Sequence, residues 1–111
     1  MSRENNECII VFVTAGSDQE ADLLREKLLE QKLAACVSKT NVNSLFSWKN
    51  EIQSENEVLL IIKTKKSLYG ELEALILEWH SYDVPEIIAL PIIAGSKPYL
   101  EWIDEVTEKN N

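Results

Sequence analysis

Only one side chain in this sequence has both the imidazole chemistry and the setting for metal or proton work. It is His80, the single histidine, in the stretch "EWHSYDVPEIIALPI" from Glu78 to Ile92. Three roles are open to it: metal ligand, general base, or terminator of a helix. A general base needs a nucleophile and an orienting partner within reach, and none stands at a recognisable spacing. A copper site needs two or more soft or imidazole ligands in a defined geometry, which one histidine cannot supply alone. Symmetry between copies could add a carboxylate such as Asp83 or Glu86. At a helix C-terminus the ring would instead favour the dipole and offer hydrogen bonds to the last carbonyls. The two cysteines, Cys8 and Cys36, form no CxxC and have no neighbouring histidine, so they make no zinc or redox motif. Each lies in an apolar run and reads as a buried thiol.

The elements around His80 are set by apolar periodicity. "CIIVFVT", Cys8 to Thr14, reads as a strand buried on both faces. Ser17 with Glu20 three residues on is a capping box, opening a helix. Ala21, Leu24, Leu28 and Leu29 make its inner stripe, while Glu20, Arg25 and Glu26 face water. Leu33 to Trp48 reads as a second strand, with a possible bulge in "TNVNS". Lys49-Asn50 fits a two-residue hairpin turn, and Glu51 to Thr64 is the return strand, with "QSEN" soft opposite the first weak spot. Ser67 is the expected cap of a helix carrying Leu68, Leu72, Leu75, Ile76 and Trp79 on one face, with His80 just off that stripe in the last turn. Pro85 to Ala94 is a strand whose Pro91 requires an edge or a bulge. A last helix begins near Ser96, with Tyr99, Trp102, Ile103 and Val106 inward. The order β-α-β-β-α-β followed by a C-terminal helix predicts an α+β, ferredoxin-like sandwich with a long central hairpin: one domain, residues 1–111, with its core at about 8–107.

Composition narrows the function. The chain has 111 residues, 45% hydrophobic, with 19 acidic and 11 basic side chains and a net charge of −8. That balance argues against nucleic acid and against anionic membrane surfaces, both of which need clustered lysine and arginine. No apolar run approaches the ~20 residues of a membrane span. The polar start "MSRENNEC" does not read as a signal peptide, and reduced thiols suit the cytoplasm.

The hairpin raises a geometric problem. Two strands of about 15 residues, at ~3.3 Å per residue, reach roughly 45–50 Å. A globule of this size has a radius of gyration of about 13 Å. The pair must bend, form a separate sheet, or extend past its domain and expose Leu45, Phe46 and Trp48. An extended pair needs a neighbour's strand to cover its edge, so the sequence predicts a homo-oligomer.

Read together, several blocks resemble the CutA divalent-cation tolerance proteins. "KLAACV" at Lys32 to Val37 matches, as do Trp48 at the hairpin tip, Ile52, Glu57 and Lys63-Thr64. "HSY", "PEI", "LPI" and "YLEW" at Tyr99 to Trp102 follow in order. The likeness runs from about Ile9 to Val106. It implies a ferredoxin-like fold, a tight homotrimer with the hairpin pairing between subunits, and a non-enzymatic role in tolerance to divalent metal ions, copper first. It also implies a copper site built from a cysteine ending the first strand and neighbouring histidines ending the second helix. Here those positions hold Val13 and the pair Trp79-His80, so His80 is the one candidate metal ligand. Asn50 stands where the family has glycine, and Ser81 where it reads "HPY".

A second candidate site follows from assembly. Trp48 and Tyr82, with Glu57, Lys63 and Glu86 as polar partners, would line an intersubunit pocket for a small ligand. The plainer roles are Trp48 as an oligomer anchor and Glu57 and Lys63 as strand-surface charges. The readings compared are a homotrimeric divalent-cation binding protein, a trimeric small-molecule sensor or protein-assembly scaffold, and an enzyme, for which the sequence offers no acid–base pair.

Overall fold

The computed structural model of the chain describes residues 7–108. Four strands, β1 (Cys8–Ala15), β2 (Cys36–Trp48), β3 (Glu51–Lys65) and β4 (Ile87–Pro91), form one antiparallel sheet in the order β2-β3-β1-β4. The helices are α1 (Asp18–Glu30), α2 (Tyr69–Trp79) and α3 (Lys97–Val106). This is the α+β, ferredoxin-like arrangement that the element order predicts.

The core follows from the two periodicities. Val11 pairs with Ile62 and Val13 with Leu60, so these four point to one sheet face. Ala21, Leu24 and Leu28 of α1 and Leu72, Leu75 and Ile76 of α2 cover that face, all buried. Each large side chain so buried contributes roughly 1.5–3 kcal/mol. On the opposite face α3 covers one end only: Lys65 is ion-paired to Asp104 at 2.8 Å, and the Cys8 thiol lies 3.9 Å from the Leu100 carbonyl. Ile10 and Phe12 are therefore half-buried, and β1 is not covered on both faces as its composition suggested.

Helix α1 is capped as expected at its start, where Ser17 Oγ accepts from the Glu20 N–H at 3.1 Å. At its end Lys32 takes φ 57°, and the Leu33 N–H donates to Leu28 O at 2.9 Å. That closes a Schellman turn between two buried leucines, with a lysine where glycine fits best. Leu29 lies outside the stripe and is exposed.

Several other expectations are corrected. Ser67 does not cap α2; it sits in a short 3-10 turn, Lys66–Leu68, and makes no capping bond. Trp79 is 43% exposed rather than core, with Lys27 Nζ 3.9 Å above its ring. Tyr99 and Trp102 are also exposed and pack on each other at 5.5 Å, because α3 turns only Ile103 and its end, Thr107, fully inward. Cys36 is half-buried.

The β2–β3 register runs unbroken from Cys36↔Lys63 to Trp48↔Glu51, so the weak stretch holds no bulge. The Asn43 amide instead bridges Ser54, Glu55 and Asn56 across the pair, tying the two polar stretches together. Lys49 and Asn50 both have positive φ, 51° and 66°, as a type I′ turn requires. β1 pairs with β3 only from Val58 to Lys65, so among the described residues the distal hairpin has no third strand. The molecule is 49 Å long with a radius of gyration of 14.9 Å, above the ~13 Å of a compact globule.

Replacing Lys32 with glycine should raise stability by about 0.5–1 kcal/mol, since glycine takes the left-handed conformation without a Cβ clash. Urea unfolding at fixed protein concentration checks this; unchanged or lower stability would contradict the strain assigned to Lys32.

Candidate functional site

A groove of about 660 Å³ opens where the free half of the hairpin meets the α2–β4 loop. It is lined by Phe46, Trp48, Gln53, Glu55 and Glu57 from the hairpin, by Gly16, Ser17 and Glu20 at the start of α1, and by residues 81–84. The strand alternation explains the hairpin wall. Phe46 faces Gln53, Trp48 faces Glu51, and Glu55 and Glu57 follow at every second position on the same face.

His80 organises this site from behind. Its side chain is fully buried, and its backbone N–H closes α2 on Ile76 O at 2.9 Å. Nε2 lies 2.7 Å from Thr14 O, and Nδ1 receives the Tyr82 N–H at 3.0 Å. A carbonyl can only accept and an N–H can only donate, so Nε2 carries the proton and Nδ1 supplies the lone pair. Both nitrogens are thus occupied. The sequence pattern placed the ring at a helix end; its bonds go to β1 and to the loop, not to the last carbonyls.

Glu20, expected in water, is the second organiser. Its two oxygens accept from Gly16 N at 2.9 Å and Ser81 N at 2.7 Å, and it lies 3.8 Å from His80 Nδ1. Burial works against its charge, but the bonds from Gly16 and Ser81 outweigh that and hold the carboxyl below its ordinary value. Tyr82 packs tilted on the imidazole at 4.8 Å and donates its hydroxyl to Glu57 at 2.9 Å. Burial, then the Glu57 carboxylate, push its phenol up to about 12, so it stays a donor. Gly16 lets the phenol approach: a Cβ there would stand 3.2 Å from the Tyr82 hydroxyl.

The structure brings Trp48, Glu57 and Tyr82 together within one subunit. Glu86 lies beside the groove, its carboxyl raised by burial and by Glu57. Lys63 is six residues along β3 from Glu57, about 20 Å away, opposite Cys36 and Ile10. Glu20, Glu55 and Phe46 were not placed in this groove by sequence reasoning, and Asp83 was considered only as a carboxylate that symmetry could add at His80. Glu55 and Phe46 were recoverable, because the Lys49-Asn50 turn fixes the register and alternation puts both on the face of Glu57. No group of three or more metal-binding side chains converges among the described residues, and with both His80 nitrogens engaged one subunit does not present a copper site.

The CutA1 divalent ion tolerance protein family profile matches residues 9–106. The chain belongs to this family. It is 40% identical over 98 residues to the divalent-cation tolerance protein CutA of Archaeoglobus fulgidus, covering 88% of this chain and 96% of that protein. It is 43% identical over 100 residues to the chloroplastic CutA of Arabidopsis thaliana, covering 89% of this chain but 55% of the relative. The chain thus spans about half the length of that plant protein. Among solved structures, the periplasmic divalent cation tolerance protein CutA of A. fulgidus superposes with a TM-score of 0.90 at 39% identity, covering 91% of this chain and 99% of that one. CutA1 from Oryza sativa superposes equally well, at 38% identity and coverage of 96% and 100%. Against the "HPY" of the resemblance, Ser81 adds something a proline cannot: an N–H for Glu20.

The two perturbed carboxylates act on stability in opposite directions. Glu20, lowered by folding, contributes stability above its ordinary range that is lost as pH falls through its lowered value. Glu86, raised by folding, costs stability as pH climbs from its ordinary value through the raised one. Thermal unfolding followed against pH should show a shallower acid loss for Glu20→Gln and a more stable Glu86→Gln at neutral pH. A Glu20→Gln variant with the wild-type acid slope would remove Glu20 from this role.

Proposed function

We propose that this chain serves divalent-cation tolerance as a non-enzymatic homotrimer that binds its ligand in the groove beside Trp48, Glu57 and Tyr82. The observation that carries the assembly is the projecting hairpin. Its β2 edge faces no strand among the described residues, and Leu45 and Ile52 are 72% and 75% exposed. Ile88 and Leu90 add exposed apolar surface on the sheet face that α3 leaves open. Uncovered edges and apolar faces of this kind are covered by sister subunits in a closed ring. The names of the archaeal and Thermus thermophilus relatives give the biological setting, divalent-cation tolerance. Trimerisation would bring Lys63 of one subunit towards the carboxylates of another and complete the intersubunit pocket.

Copper is the ion the resemblance puts first. In this chain a copper ion at His80 would have to break the bond to Thr14 or the bond from Tyr82, so His80 is assigned to holding the loop. The same saturation favours the second reading, a trimeric small-molecule sensor or assembly scaffold, because the groove needs no metal. Reduced thiols at Cys8 and Cys36 suit the cytoplasm.

Analytical ultracentrifugation at micromolar concentration should give a trimer; a monomer would overturn the assembly. Calorimetric titration with Cu²⁺ should give equal heats for wild type and His80→Ala, with sedimentation confirming that both samples are assembled. A clear loss of heat in the variant would return His80 to the metal site.

A further inference from the structure

Lys63 is the one strand lysine without a counter-ion among the described residues. Lys39 is paired with Asp18 and Asp22, and Lys65 with Asp104. Lys63 is half-buried between Ile10 on one neighbouring strand and Cys36 on the other, and its ammonium makes no side-chain bond among the described residues. Glu57 has the complementary lack. It is only 9% exposed, and its carboxylate accepts from the Tyr82 hydroxyl at 2.9 Å, but it makes no ion pair among the described residues. A neutral phenol holds a carboxylate in place without cancelling its charge, and a buried charge left so is costly.

The two groups share a sheet face and are too far apart to meet. Six residues separate them on β3, an even number, so both point to the side that α1 and α2 do not cover, about 20 Å from each other. The register puts Ile10, Phe12, Ile61, Ile88 and Leu90 on the same side. α3 covers this face only at the Lys65 end. The open face is thus an apolar field with a carboxylate towards one end and an ammonium towards the other. Apolar contact alone attracts a second copy but lets it slide. Opposite charges at separate places on the field fix direction and register. A copy laid head-to-tail brings its Lys63 to this Glu57 and leaves its own Glu57 for the next copy, as a closed ring requires.

We propose that Glu57 of one subunit and Lys63 of the next form a buried ion pair, with Tyr82 orienting the carboxylate, and that this pair sets the head-to-tail register of the assembly. The pair deepens the homotrimer proposed above and rests on it. Glu57 is then neutralised from outside its own chain, and the groove is incomplete in a lone subunit.

Urea-driven dissociation of the full-length protein, followed by sedimentation at fixed concentration, tests the pair. Lys63→Glu and Glu57→Lys each set like charges against each other at every contact and should weaken association by about tenfold or more. Glu57→Lys together with Lys63→Glu in one chain restores opposite charges at every contact, in exchanged positions, and should recover most of that loss. Two neutral changes keep the test independent of folding, since Glu57→Gln retains an acceptor for Tyr82 and Lys63→Met retains the apolar stem. Each should lower the dissociation midpoint, and the second should cost much less once the first is in place. Wild-type dissociation by Lys63→Glu, a double reversal no better than the worse single one, or strictly additive neutral changes would each overturn the pair. Any of these with a trimeric wild type refutes the pair alone; a monomeric wild type refutes the assembly and the pair with it.

Discussion

The rest of the molecule depends on the register of one strand pair. Thirteen residues of β2 face β3 without a slip, from Cys36↔Lys63 to Trp48↔Glu51. The turn sets this register: Lys49 and Asn50 both accept the left-handed conformation that a two-residue hairpin of the right twist demands. A slip of one residue would send Glu57, Glu55 and Phe46 to the opposite face and dismantle the groove. It would also turn Val58, Leu60 and Ile62 out of the core. The site and the core are therefore specified by one alignment, read at its two ends. The proximal half is bought by helix packing, and the distal half stands on cross-strand pairs and the Asn43 bridge.

Around that alignment the buried histidine and the half-buried Glu20 act as fasteners rather than reagents. His80 joins the end of β1 to the loop after α2, and Glu20 joins the start of α1 to the same loop. Tyr82 then carries the connection to Glu57 on the hairpin. Four separate segments meet through the side chains of His80, Glu20, Tyr82 and Glu57, which is how a groove wall made partly of loop becomes defined. The hydrogen bonds are satisfied throughout: no buried side-chain nitrogen or oxygen among the described residues lacks a partner.

Much of this was legible in the sequence because it follows local rules. The strands, α1 with its Ser17 cap, the hairpin turn and the overlong hairpin all rest on periodicity, turn chemistry and chain length. What was not legible depends on contacts between distant segments. Glu20 looks like a solvated first-turn carboxylate until a loop sixty-one residues later presents Ser81 N–H to it. Trp79 fits the helical stripe, yet α2 has run past the edge of the core by its last turn, so the indole meets Lys27 instead. Tyr99 and Trp102 fail in the same way: an amphipathic face says a helix must pack, not how much sheet remains beneath it. For the site, Trp48, Glu57 and Tyr82 converge, while Lys63 sits too far along its strand to join them within a subunit.

The sheet order has a kinetic consequence. β2 and β3 are joined by two residues, so their pairing needs almost no loop closure. β1 must find Lys65 from Cys8 and Pro91 from Ile9, contacts that enclose most of the chain. Closing such spans costs entropy before any contact repays it. The ribbon can form early and alone, and until β1 arrives it is open on both sides. In its outer half the Asn43 amide, bonded to Ser54 and Asn56, ties the two strands of that early ribbon together while the slow strand is still being found.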